Sequence, residues 1–383
     1  MLLYLSPGCE PTLFAKGIEE KRFSSGMQVQ RFNSLVIRGL SYCDEVSAIG
    51  HLPYANSQSN ELDSSVIRDD AIKWYCLKNY HGRYGKIKRF KELLFKGLTI
   101  SKQQKVKAVF ADAISPLYAL AALIIAKRSR CTSVGIVTDV PMYMCAQNKS
   151  LRARLTQSFL TKFDYYVLLS KPMDAVVNPN HHPSIVMEGL CEYDETPLIQ
   201  KAAHDKLRIV YAGSVDDGNG ITNLLNAFNS ISGNNAELVI YGSGPLVGRV
   251  TEYANKNSNI SYGGVLDSEQ MRESLRDADV LINPRPVDLD FVAYSFPSKM
   301  MDYMSSGTIT MCTRLSCISE EYFEHLYVIE NDTVEGLRES LKGVINLPFE
   351  KRVEIGMGAR EFVMKNKNHV AQGKRIYEMI TKQ

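Results

Sequence analysis

The sequence predicts an α/β protein of two doubly wound domains, each a parallel sheet covered by helices on both faces. Three observations carry that expectation. The chain has 383 residues, more than one hydrophobic core usually serves. Strand-like apolar runs alternate with helix-period segments in both halves. One polar, proline-bearing stretch, Cys191–Lys206, interrupts the alternation. The expected boundaries are therefore a first domain at 1–190, a linker at 191–206 and a second domain at 207–363. A terminal helix at 364–383 is expected to pack back on the first domain.

In the first half the strands are read at 2–5, 45–50, 106–111, 132–139, 165–170 and 184–189. Each is a short apolar run followed by helical spacing. The second half repeats the scheme with strands at 207–214, 236–244, 260–265, 279–286, 308–313 and 326–329, and helices at 221–231 and 268–278. In "YSFPSKMMDYMSSG" (294–307), Phe296, Met300 and Met304 recur every fourth residue and make a core stripe. Pro297 suits the first helical position and Gly307 the stop. The tail from Lys351 to Ile380 is helical in period. Parallel sheets of this kind bind ligands outside the carboxyl ends of their strands, and the natural active site is a cleft between the two domains.

Composition narrows the function. Apolar residues make up 45% and charged residues 23%, ordinary for a folded protein, and a net charge of +3 gives no reason to expect nucleic acid. Lys73–Lys107 holds eleven Lys and Arg against the single acid Glu92. That is either a solvated helical face or a basic surface resting on anionic lipid. Eight cysteines show no CxxC pair, which points to reduced thiols in a cytoplasmic setting. No leader peptide is read in "MLLYLSPG". The longest apolar run, Leu117–Ala126, is about half a bilayer span. Any membrane contact is thus expected to be peripheral, on the inner face. His51, His181 and His182 have no ligand spacing, and the "DLD" at 288–290 is not expected to bind metal.

Three strand ends carry glycine: Gly213 before Ser214, Gly242 with Gly244, and the "YGGV" that ends at Val265. Glycine there permits close backbone approach to a ligand. Each alone is an ordinary turn; on one sheet they suggest a nucleotide or sugar-phosphate site. Ser298 and Asp302 lie four apart on one helix face, about 6–7 Å along its axis. A diphosphate at Ser298 with a ribose diol at Asp302 fits that separation, and Lys299 adds a point charge. Asp290, Tyr294 and Ser295 complete the donor-side candidates.

These residues resemble a family: the retaining nucleotide-sugar glycosyltransferases of GT-B architecture, group 1 type, in particular the bacterial capsule and exopolysaccharide branch. The resemblance is strongest over Leu207–Ile329, in "DVLINPRP…YSFPSKMMDYMSSG…EEYFEHLYVI". It is more diffuse in "QVQRFNSLVIRGL", "VGIVTDVPMYM" and "LLLSKPMDAVV". It implies two Rossmann-like domains facing a central cleft, and transfer with retention at the anomeric carbon. It also implies a pair of acids eight apart around the donor. The second, on the ribose, maps to Asp302; the first maps to Tyr294. Many members carry Arg after the first strand's Gly and Lys a few residues on, where this chain has Ser214 and Asn219. Arg285 and Lys299 are the substitutes expected to neutralise the departing diphosphate. Val265 and its neighbours would hold the base. On the acceptor side the resemblance points to Asp139, which equally suits a helix cap, and to the 24–30 loop.

The expected activity is metal-independent transfer from a nucleotide-diphosphate sugar, without cofactor, to a glycan or lipid-diphosphate saccharide in cell-surface polysaccharide biosynthesis. A non-catalytic nucleotide-sugar binder and a GT-B-type epimerase are the alternatives.

Overall fold

The computed structural model describes residues 1–382 except 24–26, 54–64, 143–150, 197–203, 232 and 234. The chain divides into two compact units. One is Met1–Glu192 with Asn368–Gln383, the other Tyr193–Lys367.

The N-terminal unit runs β1 (Leu2–Leu5), α1 (Pro11–Glu19), α2 (Met27–Ser41), β2 (Val46–His51), β3 (Ser65–Asp69), β4 (Ile72–Leu77), α3 (Gly82–Gln103), β5 (Ala108–Asp112), α4 (Pro116–Ser129), β6 (Thr132–Val137), α5 (Leu151–Leu160), β7 (Tyr165–Leu168), α6 (Pro172–Val177) and β8 (Ser184–Val186). Its eight strands lie in the order β3-β4-β2-β1-β5-β6-β7-β8, all parallel except β3, which pairs antiparallel with β4 at one edge. β1 and β5 are buried along their whole length, as strands covered on both faces must be.

The C-terminal unit contains β9 (Leu207–Ala212), α7 (Ile221–Asn229), β10 (Ala236–Tyr241), α8 (Val247–Lys256), β11 (Ile260–Gly264), α9 (Ser268–Asp277), β12 (Val280–Asn283), α10 (Lys299–Ser305), β13 (Ile309–Thr313), α11 (Glu320–Phe323), β14 (Tyr327–Ile329), α12 (Val334–Ile345) and α13 (Phe349–Asn366). Six parallel strands lie in the order β11-β10-β9-β12-β13-β14. Their core faces, Ile209, Tyr211, Leu238, Ile240, Val280 and Ile282, are sealed by apolar residues of α7 and α12. Both units are therefore doubly wound, as the alternation predicts.

Four expectations change. The basic segment is not one helical face: β4 occupies its start, with Trp74 buried. Lys73 disguises that strand in the sequence, because its ammonium is carried over the Tyr75 ring, 5.4 Å from the centroid. The apolar run at 117–126 belongs to α4 and is spent on packing, with Tyr118, Ala119, Ala121, Ala122, Ile125 and Ala126 buried. Among the described residues no helix is long and apolar enough to cross a membrane. The periodic tail is two helices: α13 stops at Asn366, and Asn368 caps a new one, α14 (His369–Thr381), accepting from the Ala371 N–H. α14 joins the N-terminal unit by lying on α2, where Gly39 and Gly373 bring the backbones together. A Cβ on Gly39 would sit 2.1 Å from the His369 carbonyl. Finally, of the 24–30 stretch, 24–26 lie outside the described residues and the rest is the first turn of α2, not a loop.

Candidate active site

The C-terminal sheet reverses its winding between β9 and β12. From β9 the chain moves outward to β10 and β11, then returns to β12 and continues the other way through β13 and β14. Such a reversal opens a crevice at the carboxyl ends. Here β9 and β12 pair only at Ile209–Val280 and Val210–Leu281, then part. The Tyr303 hydroxyl fills the gap: it accepts from the Ala212 N–H at 2.7 Å and donates to the Ala212 carbonyl at 3.0 Å. Tyr303 thereby fixes α10, with Lys299 and Asp302, to the end of β9.

The carboxyl ends of β11, β10, β9 and β12 follow one another as a shelf. They are Gly264 with Val265, Gly242 with Gly244, Gly213 with Ser214, and the Pro284–Arg285 turn. Three strand spacings amount to about 14 Å, room for an extended nucleotide-sugar. The glycines are required sterically. At Gly242 (φ 126°) a Cβ would fall 1.8 Å from the Gly213 carbonyl, and at Gly213 it would meet Lys299 Nζ at 3.1 Å.

That lysine is the centre of the site. Its ammonium donates to the Tyr211 hydroxyl at 3.0 Å and the Asn219 side-chain carbonyl at 3.1 Å, and lies 4.3 Å from the Tyr211 ring centroid. Two of its three N–H donors are used. Burial, then the nearby Arg285 charge, pull its pKa down to about 7. Arg285 donates to the Ser295 carbonyl at 3.0 Å, while its Nε is buried without a partner. Neither cation forms an ion pair among the described residues. The acid acting on Lys299, Asp216, is engaged by Asn219 and Ser214 rather than by either cation, so positive charge gathers at the end of β9.

The remaining expected donor residues lie on the helix, loops and strand ends of the same unit. α10 begins at Lys299, so Pro297 stands two residues before the helix rather than at its first position. Ser298 precedes it, exposed and making no capping bond. Asp302, in the first turn, is half-buried. Tyr294 ends a short 3-10 turn, Val292–Tyr294, ahead of Ser295. Asp290 and Asp288 are exposed in the preceding loop. Val265 is 70% exposed at the tip of β11. Ser214 donates to Asp216, whose other oxygen accepts from the Asn219 backbone and side-chain N–H groups, both at 2.9 Å. Spacing alone does not signal Tyr211, Asp216 or Asn219 as a clamp. Asn219, standing where the resemblance leads one to expect a lysine, instead grips a lysine delivered from 80 residues further on.

Asp139 belongs to the N-terminal unit, half-buried just past β6. The winding of that sheet reverses between β1 and β5, one strand away. At that point lies Asp112, buried, its pKa raised to about 6 by burial and one carboxylate oxygen without a partner. A hollow of about 570 Å³ between α7 and α8, lined by Asn229, Arg249, Glu252, Tyr253 and Lys256, sits by the far end of α7, away from the strand carboxyl ends.

Residues 206–346 match a family model described as glycosyl transferases group 1. No curated protein matches the sequence. Solved structures match it over the whole chain. A sucrose-phosphate synthase from Thermosynechococcus elongatus has TM-score 0.71 at 14% identity, covering 100% of this chain and 98% of its own. The apo form of the lipopolysaccharide outer core galactosyltransferase WaaB has TM-score 0.64 at 12% identity, covering 100% and 99%. HepE from Anabaena, in complex with UDP and glucose, has TM-score 0.66 at 11% identity, covering 100% and 99%. At such identities the likeness is one of fold, and the fold is GT-B.

Proposed function

We propose, on the premise that residues 206–346 belong to the group 1 glycosyl transferases, that this protein is a retaining glycosyltransferase. It moves a sugar from a nucleotide-diphosphate donor to a glycan or lipid-linked saccharide in cell-surface polysaccharide synthesis. The observation that carries the donor half is the Lys299 ammonium held beside Gly213 by Tyr211 and Asn219, with the Arg285 charge near it. A diphosphate laid there relieves the repulsion between the two cations and takes the remaining N–H donors. The ribose diol then reaches Asp302, and the base lies along the shelf towards Val265. Uridine is the base to try first, since HepE carries UDP.

In the reaction the anomeric C–O bond to the diphosphate breaks as the acceptor oxygen attacks the same face, and a diphosphate oxygen takes the acceptor proton. Arg285 and Lys299 hold the growing negative charge on the leaving group. Removing one such preorganised donor costs about 3 kcal/mol of barrier, roughly a hundredfold in kcat. No metal or cofactor is needed for this route. Asp139 of the N-terminal unit is the residue proposed to accept a hydrogen bond from the acceptor hydroxyl.

Labelled UDP-sugars incubated with a panel of lipid-diphosphate and free saccharides test this reading. The expected product keeps the donor's anomeric configuration, and Lys299→Met lowers kcat about a hundredfold. Bound but untransferred donor would leave a nucleotide-sugar binder, and an isomerised donor would make it an epimerase. If no nucleoside diphosphate shifts the melting temperature, the donor site itself is refuted.

A further inference from the structure

α3 has two faces of opposite character. On one, Leu93 and Ile100 are buried and Gly97 lies so close to α4 that a Cβ would stand 2.4 Å from Ile125 Cδ1. On the other, Tyr84 is 85%, Phe95 74% and Ile87 52% exposed. The helical period sets Tyr84, Lys91, Phe95 and Lys102 in one row, at steps of seven, four and seven residues, with Ile87 and Lys88 beside it. The row is about 27 Å long. Lys91 and Lys102 are exposed and make no ion pair among the described residues, and the ammonium of Lys88 lies 3.9 Å from the Tyr80 ring centroid. The single acid of the helix, Glu92, is turned aside and accepts from the Tyr80 hydroxyl. At the amino end Lys86, Arg89 and His81 line an open basic hollow of about 470 Å³.

We propose that this face of α3 is a docking surface for an anionic phospholipid bilayer, lying flat with Tyr84, Ile87 and Phe95 in the headgroup–acyl boundary and the lysines among the phosphates. Charge complementarity selects the occupant. A protein partner would have to set its acids in register with this one row of lysines, whereas an anionic bilayer offers phosphates above acyl chains along the whole length of about 27 Å. The bases of a single strand can stack on exposed rings, but they leave Ile87 against water, whereas acyl chains cover Tyr84, Ile87 and Phe95 together. Isolated exposed apolar residues are ordinary, but a row of them rimmed by unpaired lysines is the composition of a helix that lies in an interface. The surface is independent of the donor site, so failure of either reading leaves the other standing.

The test is flotation of the full-length protein with vesicles of phosphatidylcholine alone or mixed with phosphatidylglycerol. The protein is expected to float with the mixed vesicles and stay behind with the neutral ones. Raising salt from about 0.1 to about 1 M, which shortens the screening length from about 10 to about 3 Å, should release it. Each of Lys88→Gln, Lys91→Gln and Lys102→Gln is expected to weaken partitioning about fivefold, and Phe95→Ser about tenfold. Lys91, Lys102 and Phe95 are solvent-facing, so circular dichroism and the melting temperature should not change in their variants, whereas Lys88→Gln also gives up its contact with the Tyr80 ring. Lys256→Gln with Lys351→Gln, exposed on the other unit, should float like the parent. The proposal is overturned if the parent stays unbound to anionic vesicles at low salt, if the control pair loses as much as the α3 variants, or if single-stranded nucleic acid displaces the vesicles.

Discussion

Donor binding should take up a proton at mildly alkaline pH. Desolvation, then the nearby Arg285 charge, pull the Lys299 pKa down to about 7. At pH 8 only about one molecule in eleven then holds the ammonium form. A diphosphate diester such as a UDP-sugar does not titrate between pH 6 and 9, so any proton exchanged belongs to the protein. With the anion bound, the charged form is favoured and the pKa climbs. Calorimetry at pH 8 in two buffers of different ionisation enthalpy should therefore report net proton uptake on binding. Affinity should fall about tenfold per pH unit above 7, until the pKa of the bound form is reached. Lys299→Met should abolish both effects. Equal heats in the two buffers, with affinity flat from pH 6 to 9, would refute the assignment of Lys299 to the diphosphate.

The same depressed pKa has a consequence for the empty protein. Between pH 7 and the ordinary 10.5 the unfolded chain holds a proton that the folded chain has lost, so this group's contribution to stability improves as pH rises through that window. Lys299→Met should accordingly stabilise the ligand-free protein near pH 7 by about 1 kcal/mol, or about 2–4 °C in melting temperature, with the gain shrinking towards pH 10.5. Gly213→Ala should strain the end of β9, lower the melting temperature and displace the ammonium it would meet at 3.1 Å, reducing kcat/KM at least tenfold, whereas Gly248→Ala, with nothing within 4 Å, should raise stability by about 0.5–1 kcal/mol in a melt. Tyr303→Phe leaves both backbone groups of Ala212 without their hydroxyl partner and should cost about 1–3 kcal/mol in denaturant unfolding, along with a higher donor KM. Asp302→Asn should weaken donor binding about 10–100-fold, and a donor lacking the ribose hydroxyls should bind parent and variant alike.

Much of this protein is written locally. The period-two and period-3.6 runs fix the two doubly wound units, because burial on both faces of a parallel sheet leaves strands no choice but to be short and apolar. The Phe296–Met300–Met304 stripe is buried as its spacing demands. The proposal of a donor side at the block around Pro297–Asp302 rests on the same local pattern. What the sequence could not decide depends on which distant segments meet. β4 escapes notice because Lys73 hides in a strand by folding over Tyr75, and the α4 run reads as a lipid-seeking segment until α3 and β5 are packed on it. The loss of Arg and Lys at 214 and 219 looks, along the chain, like a loss of the anion site. In three dimensions Asn219 and Tyr211 hold the Lys299 ammonium in that place, with Arg285 beside it. Charge is long-ranged and strand order is not periodic in sequence. Only the reversal of winding between β9 and β12, and the gap plugged by Tyr303, could bring Lys299 onto Asn219 and Tyr211, 80 and 88 residues before it.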